Sequence, residues 1–132
     1  MIHVAINGFG RIGRRVFRLL QDNKHIQVVA VNDLADTKTL SHLLKYDSIH
    51  GIFKEKVTFD DSHVIVNDKK IPFSKANHPK EINWKPYQVD FVIEATGKFK
   101  TKEALEHHIL NGAQKVILSV PPLEDDIKTI VL

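Results

Sequence analysis

A doubly wound α/β fold on a mostly parallel sheet is what this sequence predicts, and three observations carry the prediction. Short, near-continuous apolar runs rich in β-branched residues recur along the chain, as at Ile26 to Val31 and Val116 to Leu118. Strands of that kind are typical of a parallel sheet covered on both faces. They alternate with segments of helical period. The first run leads directly into a glycine-rich loop, Gly8-Phe9-Gly10-Arg11-Ile12-Gly13, which opens the first helix.

Taken in order, Ile2 to Asn7 reads as a short buried strand. The helix after the glycine loop carries Ile12, Val16, Leu19 and Leu20 at helical spacing, which predicts that these four face the core. Asp22-Asn23-Lys24 breaks it, and Ile26 to Val31 forms the second strand, closed by Asn32-Asp33. Asp36 can cap a second helix reaching about Tyr46, with Leu40, Leu43 and Leu44 turned inward. From Val57 to Ser74 the pattern changes to short alternating pieces around Asp60-Asp61 and Asn67-Asp68, which predicts a small antiparallel insertion. Val89 to Glu94 is a further buried strand, ending at Ala95-Thr96-Gly97. Thr101 can cap a helix that ends before Gly112. Lys115 to Ser119 is the next strand, stopped by Pro121-Pro122, and Ile127 to Leu132 reads as one more. An apolar run at the very end is normally covered by something further, so the expectation is a C-terminally truncated domain.

Composition narrows the function. The chain has 132 residues, 42% of them hydrophobic and 27% charged, which fits one globular domain and argues against disorder. There is no Cys, which excludes a disulfide framework, a zinc–thiolate site and a cysteine nucleophile within these residues. A net charge of +3 is too small an excess to argue for a nucleic-acid partner. No apolar stretch approaches the ~20 residues of a membrane span, and the start lacks the pattern of a signal peptide, so the expected location is cytoplasmic.

Strand, glycine loop, helix, strand and acid is the order that a dinucleotide site requires. Gly8 allows the tight turn out of the strand, Gly10 lets a pyrophosphate approach the backbone, and Gly13 lets the helix pack close to the sheet. The helix N-terminus offers free N–H groups and a partial positive charge. Asp33 follows Gly13 by 20 residues, at the end of the second strand. A carboxylate there can accept both ribose hydroxyls of an adenosine and would repel a 2′-phosphate, which favours NAD over NADP. A lone glycine pattern arises by chance, but the surrounding strand, helix and acid make this a site. Arg11, Arg14, Arg15 and Arg18 form a second stripe on the same helix. For Arg14, Arg15 and Arg18 the expectation is a solvated face, while Arg11 sits inside the loop, where a guanidinium can reach phosphates.

The stretch Ile6 to Arg14, Ile-Asn-Gly-Phe-Gly-Arg-Ile-Gly-Arg, resembles the amino-terminal signature of glyceraldehyde-3-phosphate dehydrogenase. The likeness continues at Val31-Asn32-Asp33, Tyr46-Asp47-Ser48-Ile49-His50-Gly51, Glu94-Ala95-Thr96-Gly97 and Gly112-Ala113-Gln114-Lys115-Val116-Ile117. The resemblance implies the NAD-binding Rossmann domain of a phosphorylating glycolytic enzyme, homotetrameric, in which a cysteine thiolate attacks an aldehyde and hydride passes to NAD. It implies that Arg11 and Ile12 contact the pyrophosphate and Asp33 the adenosine ribose. It places Asn77 near the adenine, where the family often has Arg or Lys, and Thr96, Gly97 and Ser119 beside the cofactor. Leu34 stands where the family commonly has Pro. The family's Ser-Cys-Thr-Thr-Asn motif and catalytic His fall beyond Leu132, so residues 1–132 are expected to be an incomplete cofactor domain that binds NAD without catalysis.

Other constellations are plainer. The eight His residues lack metal-site spacing, and His107 and His108, being adjacent, point to different faces of their helix. Surface or packing roles are expected for His42 and His50. Trp84, Phe53, Phe59, Phe73 and Tyr87 read as packing residues. Erythrose-4-phosphate dehydrogenase is a rival within the same superfamily. A non-catalytic module binding RNA through Arg11, Arg14 and Arg15 is a rival of another class, marked by a steep loss of binding with salt.

Overall fold

The N-terminal strand β1 (Ile2–Asn7) sits at the centre of the sheet, hydrogen-bonded in parallel to β2 (Ile26–Asn32) on one side and β8 (Phe91–Glu94) on the other. The structure, a computed structural model, describes residues 1–47 and 51–119. The expectations for Ser48 to His50, the stop at Pro121-Pro122 and the strand from Ile127 to Leu132 lie outside those residues. The other elements are α1 (Arg11–Leu20), α2 (Thr37–Lys45), β3 (Tyr46–Asp47), β4 (Gly51–Ile52), β5 (Val57–Phe59), β6 (His63–Val66), β7 (Lys69–Ser74), α3 (Lys102–Leu110) and β9 (Lys115–Leu118). Two short 3-10 turns, Pro79–Glu81 and Lys85–Tyr87, precede β8.

The main sheet has seven strands in the order β5-β6-β7-β2-β1-β8-β9. The expected small antiparallel piece is present as β5, β6 and β7, and it joins the main sheet. Its last strand, β7, pairs in parallel with β2, so β5 and β6 extend the main sheet. Chain order reverses across β1, which makes the crevice beyond its C-terminal end the place where such sheets bind ligands.

Pleating divides the core. Val4 and Ile6 join Phe9, Phe17, Val31, Leu40 and Leu44 beneath α1 and α2, while Ala5 faces Trp84, Val89 and Val92 on the other side. Val4 pairs with Val28 but Ala5 pairs with Ala30, so Val29 is an extra residue, a bulge. The bulge explains how Val28 and Val31, three apart, reach the same core.

The helices rotate somewhat from their sequence-expected faces. In α1 the buried residues are Gly13 and Phe17, with Val16 and Leu20 packed beside them, while Ile12 and Leu19 are exposed. The stripe is thus 13, 16, 17 and 20, an equally good helical period that uses the small Gly13 as its closest contact. In α2, Leu40 and Leu44 are buried as expected, but Leu43 is 38% exposed because Ser41 takes the inward position beside them. Phe59 is likewise exposed on β5 at the sheet edge, whereas Trp84, Phe53 and Phe73 are core. Both expected caps form: Asp36 accepts from Thr39 N at 2.7 Å and Thr101 from Ala104 N at 3.2 Å.

Candidate functional site

A cleft of about 220 Å³ opens at the C-terminal ends of β1, β2, β7 and β8. Its lining includes Gly8, Gly10, Asp33, Asn77 and Thr96 from the sequence-expected set. Arg11, Ile12, Gly13, Gly97 and Ser119 lie next to these in the chain or the fold but do not line it.

Each glycine of the first loop has its own reason. Gly8 has φ +96°, and a Cβ there would meet Thr96 N at 2.7 Å and Ala95 C at 2.9 Å. Gly13 would bring a Cβ within 2.1 Å of Gly8 O. Both are demanded by the fold. Gly10 is different: its φ of −78° suits any residue, and a Cβ would meet nothing within 4 Å. Gly10 is also the N-cap of α1 and supplies no side-chain oxygen to the first turn. Ser or Asp would cap better, so the residue leaves both space and open N–H donors for an outside acceptor.

Asp33 holds the loop from the other side. Its Oδ2 accepts from Phe9 N at 2.7 Å and its Oδ1 from Ala35 N at 2.9 Å. A carboxylate oxygen can accept twice, so both oxygens keep capacity for further donors. The side chain is thereby fixed at the cleft wall rather than free to swing.

The floor is polar and fully tied. Glu94, at the end of β8, is completely buried. Its Oε2 accepts from Thr96 N at 3.0 Å and Thr96 Oγ1 at 2.7 Å. Its Oε1 accepts from Asn7 Nδ2 at 2.6 Å and lies 2.9 Å from His108 Nε2. Asn32 Nδ2 donates to Asn7 Oδ1 and Ala76 O, while Asn32 Oδ1 accepts from Ser74 Oγ and Ala76 N. Ser119 donates both its N–H and its Oγ to Glu94 O, closing the end of β8.

Sequence reasoning did not single out Asn7, Asn32, Ala76, Lys98 or Phe99, all of which line this cleft. A signal existed for two of them: Asn7 and Asn32 are polar ends on apolar strands, and both are buried. The expected solvated arginine face holds only for Arg15. Arg14 donates from Nη1 to Phe9 O at 2.9 Å, and Arg18 donates to the carbonyls of Leu44 and Gly51. Burial lowers the Arg14 pKa, opposed by Asp47 and Asp33. Carbonyls left open at a helix end and in a loop recruit these guanidiniums, which helical spacing alone does not reveal.

Among the described residues no group of three His, Asp, Glu or Cys could hold a metal ion, and no helix is long and apolar enough to cross a membrane. Residues 2–102 match the protein family described as glyceraldehyde 3-phosphate dehydrogenase, NAD binding domain. Among curated proteins, the glyceraldehyde-3-phosphate dehydrogenase of Thermotoga maritima is 49% identical over 133 residues, covering 99% of this chain and 40% of that protein. That of Mycoplasma pneumoniae is 48% identical over 130 residues, covering 98% and 39%. Glyceraldehyde-3-phosphate dehydrogenase 2 of Bacillus subtilis is 47% identical over 131 residues, covering 99% and 38%. The chain thus spans about two-fifths of the length of these relatives.

Proposed function

This chain belongs to the NAD-binding domain family of glyceraldehyde-3-phosphate dehydrogenase, with NAD as its cofactor, and from that premise we propose how its own residues hold the cofactor. The pyrophosphate lies over Gly8, Gly10 and the first turn of α1, with Arg11 and Ile12 beside it and Gly13 bringing the helix close. Asp33 accepts the adenosine ribose hydroxyls. Asn77 lies near the adenine, and Thr96, Gly97 and Ser119 flank the cofactor at the ends of β8 and β9. The observation that carries this reading is the open space at Gly10, which neither backbone conformation nor packing requires.

Bound NAD supplies a hydride acceptor. The chain's part is to bind and orient it: backbone N–H groups meet the phosphates, and Asp33, anchored by Phe9 N and Ala35 N, meets the ribose. The same reading makes residues 1–132 a cofactor domain of a cytoplasmic, homotetrameric enzyme that oxidises a phosphorylated aldehyde. A thiolate nucleophile must then come from elsewhere in that enzyme, because these residues include no Cys. The 132-residue chain alone is expected to bind NAD without turning over aldehyde.

Gly10→Ala tests the reading. The variant stays folded and loses only about 1 kcal/mol, that of a poorer N-cap, because its Cβ meets no protein atom within 4 Å. In calorimetric titration it binds NAD about tenfold or more weakly, since the methyl occupies ligand space and displaces phosphate contacts. Unchanged affinity would contradict this placement of the pyrophosphate.

A further inference from the structure

Two arms of the buried polar chain under the cleft run to Glu94, and each is fixed at its far end by a group that cannot reverse. At one end stands the backbone of Ala76. Its N–H must donate, so the Asn32 atom 2.8 Å away is the oxygen; its C=O must accept, so the Asn32 atom 3.0 Å away is the nitrogen. The Asn32 amide nitrogen then donates to Asn7 Oδ1 at 2.9 Å, which leaves Asn7 Nδ2 to donate to Glu94. At the other end stands Trp84, whose indole N–H is donor-only. It lies 3.0 Å from His108 Nδ1, so that nitrogen accepts, and His108 Nε2 carries the proton it donates to Glu94 Oε1. Thr96 supplies two further donors to Glu94 Oε2.

Three obligatory donors, Asn7 Nδ2, His108 Nε2 and Thr96 N, and the Thr96 hydroxyl therefore converge on one side chain from β1, α3 and the cleft loop, so both of its oxygens accept. A fully buried polar side chain of this kind does little for stability compared with apolar packing. What it does hold is Thr96, whose Oγ1 in turn accepts from Lys98 N at 3.1 Å at the cleft's edge.

We propose that Glu94 is a positioning residue for the cofactor cleft: it sets the Thr96–Lys98 loop and, through His108, couples cleft occupancy to Trp84 in the core on the same face of the sheet. This rests on the placement of NAD in the cleft. A ligand that shifts Thr96 alters the hydrogen bonds at Glu94, and the change passes to the His108–Trp84 bond. Trp84 is the single Trp of the chain, so its indole N–H gives one unambiguous signal.

The experiment is an NAD titration of the 132-residue chain followed by calorimetry and by the ¹H–¹⁵N resonance of the Trp84 indole, repeated with Glu94→Gln. A Gln must turn its NH2 toward one pair of donors, whichever way its amide is placed, and so cannot hold both Asn7 and Thr96. In the wild type the indole resonance moves and saturates at the same NAD concentration as the heat. Glu94→Gln weakens NAD binding about tenfold and abolishes the indole shift at saturating NAD. Trp84→Phe serves as the control for stability: it removes the bond to His108 Nδ1 and destabilises the core but leaves every bond to Thr96, and it weakens NAD binding less than Glu94→Gln does. If the wild type binds NAD with no indole response, if Glu94→Gln binds as tightly as the wild type, or if Trp84→Phe weakens NAD as much as Glu94→Gln does, the positioning role is overturned. The wild-type arm decides the coupling even should Glu94→Gln not fold. If the wild type shows no NAD binding by either readout, the placement of NAD in the cleft fails instead.

Discussion

Gly8, Gly10 and Gly13 share one loop but answer to different constraints. Gly13 lies under Gly8 O, where a Cβ would stand 2.1 Å from a backbone atom with no freedom to yield. Gly13→Ala is therefore expected to destabilise the fold by about 3 kcal/mol or more, read by urea denaturation, whereas Gly10→Ala costs only about 1 kcal/mol, that of a poorer N-cap. Equal unfolding midpoints for the two variants would contradict the division. The sequence made the three glycines and Asp33 legible because their spacing reflects a backbone geometry. It did not disclose that Asp33 already accepts from Phe9 N, nor that Asn7 and Asn32 form the buried wall, because those facts depend on which strands are neighbours. Glu94 was legible as the last residue of a strand and as part of the Glu94-Ala95-Thr96-Gly97 stretch, but not as the meeting point of groups as distant in sequence as Asn7.

At the scale of elements, strand and helix order followed from apolar periodicity, and both Asp36 and Thr101 cap as their residue types imply. Thr101→Ala should cost about 1 kcal/mol of stability, measurable by thermal or urea unfolding, and no loss would remove the cap from the account. What periodicity could not settle was rotation. In α1, two overlapping stripes have helical spacing, and the one containing Gly13 and Phe17 wins because only glycine allows the helix to approach the first strand. The opposite stripe then presents Arg18 to the end of α2. Its guanidinium donates to Leu44 O at 2.7 Å and Gly51 O at 2.9 Å, and lies 5.1 Å from the Phe53 ring centroid. Arg18→Ala is expected to lower stability by about 2 kcal/mol, and Arg18→Lys to recover only part of it, since an ammonium lacks the planar fork that spans two carbonyls. Full recovery with Lys, measured by urea titration, would argue for charge alone.

For the whole molecule, carboxylates with lowered pKa values contribute to the acid limit. Asp60, bridging the turn before β6, has its pKa lowered to about 2, first by the Ser62 N–H and then by His63. The Thr39 N–H likewise lowers that of Asp36. Carboxylates depressed in the folded state favour folding above their unfolded values near pH 4, and that contribution is lost as pH falls toward 2. Stability should therefore fall as pH drops below about 4, and Asp60→Asn should flatten the fall. A wild-type curve indifferent to pH between 4 and 2 would contradict these assignments. The cofactor acts at the same scale, because a ligand that binds only the folded state stabilises all of it. The central claim, that the cleft takes NAD with Asp33 at an unphosphorylated ribose, is tested most directly by thermal melts of the 132-residue chain without ligand, with NAD and with NADP. NAD at 100 times its Kd adds about 2.7 kcal/mol. For a domain of this size that raises Tm on the order of 10 °C. The account predicts that rise with NAD and little with NADP at equal concentration. Equal shifts with both, or none with NAD, would contradict it.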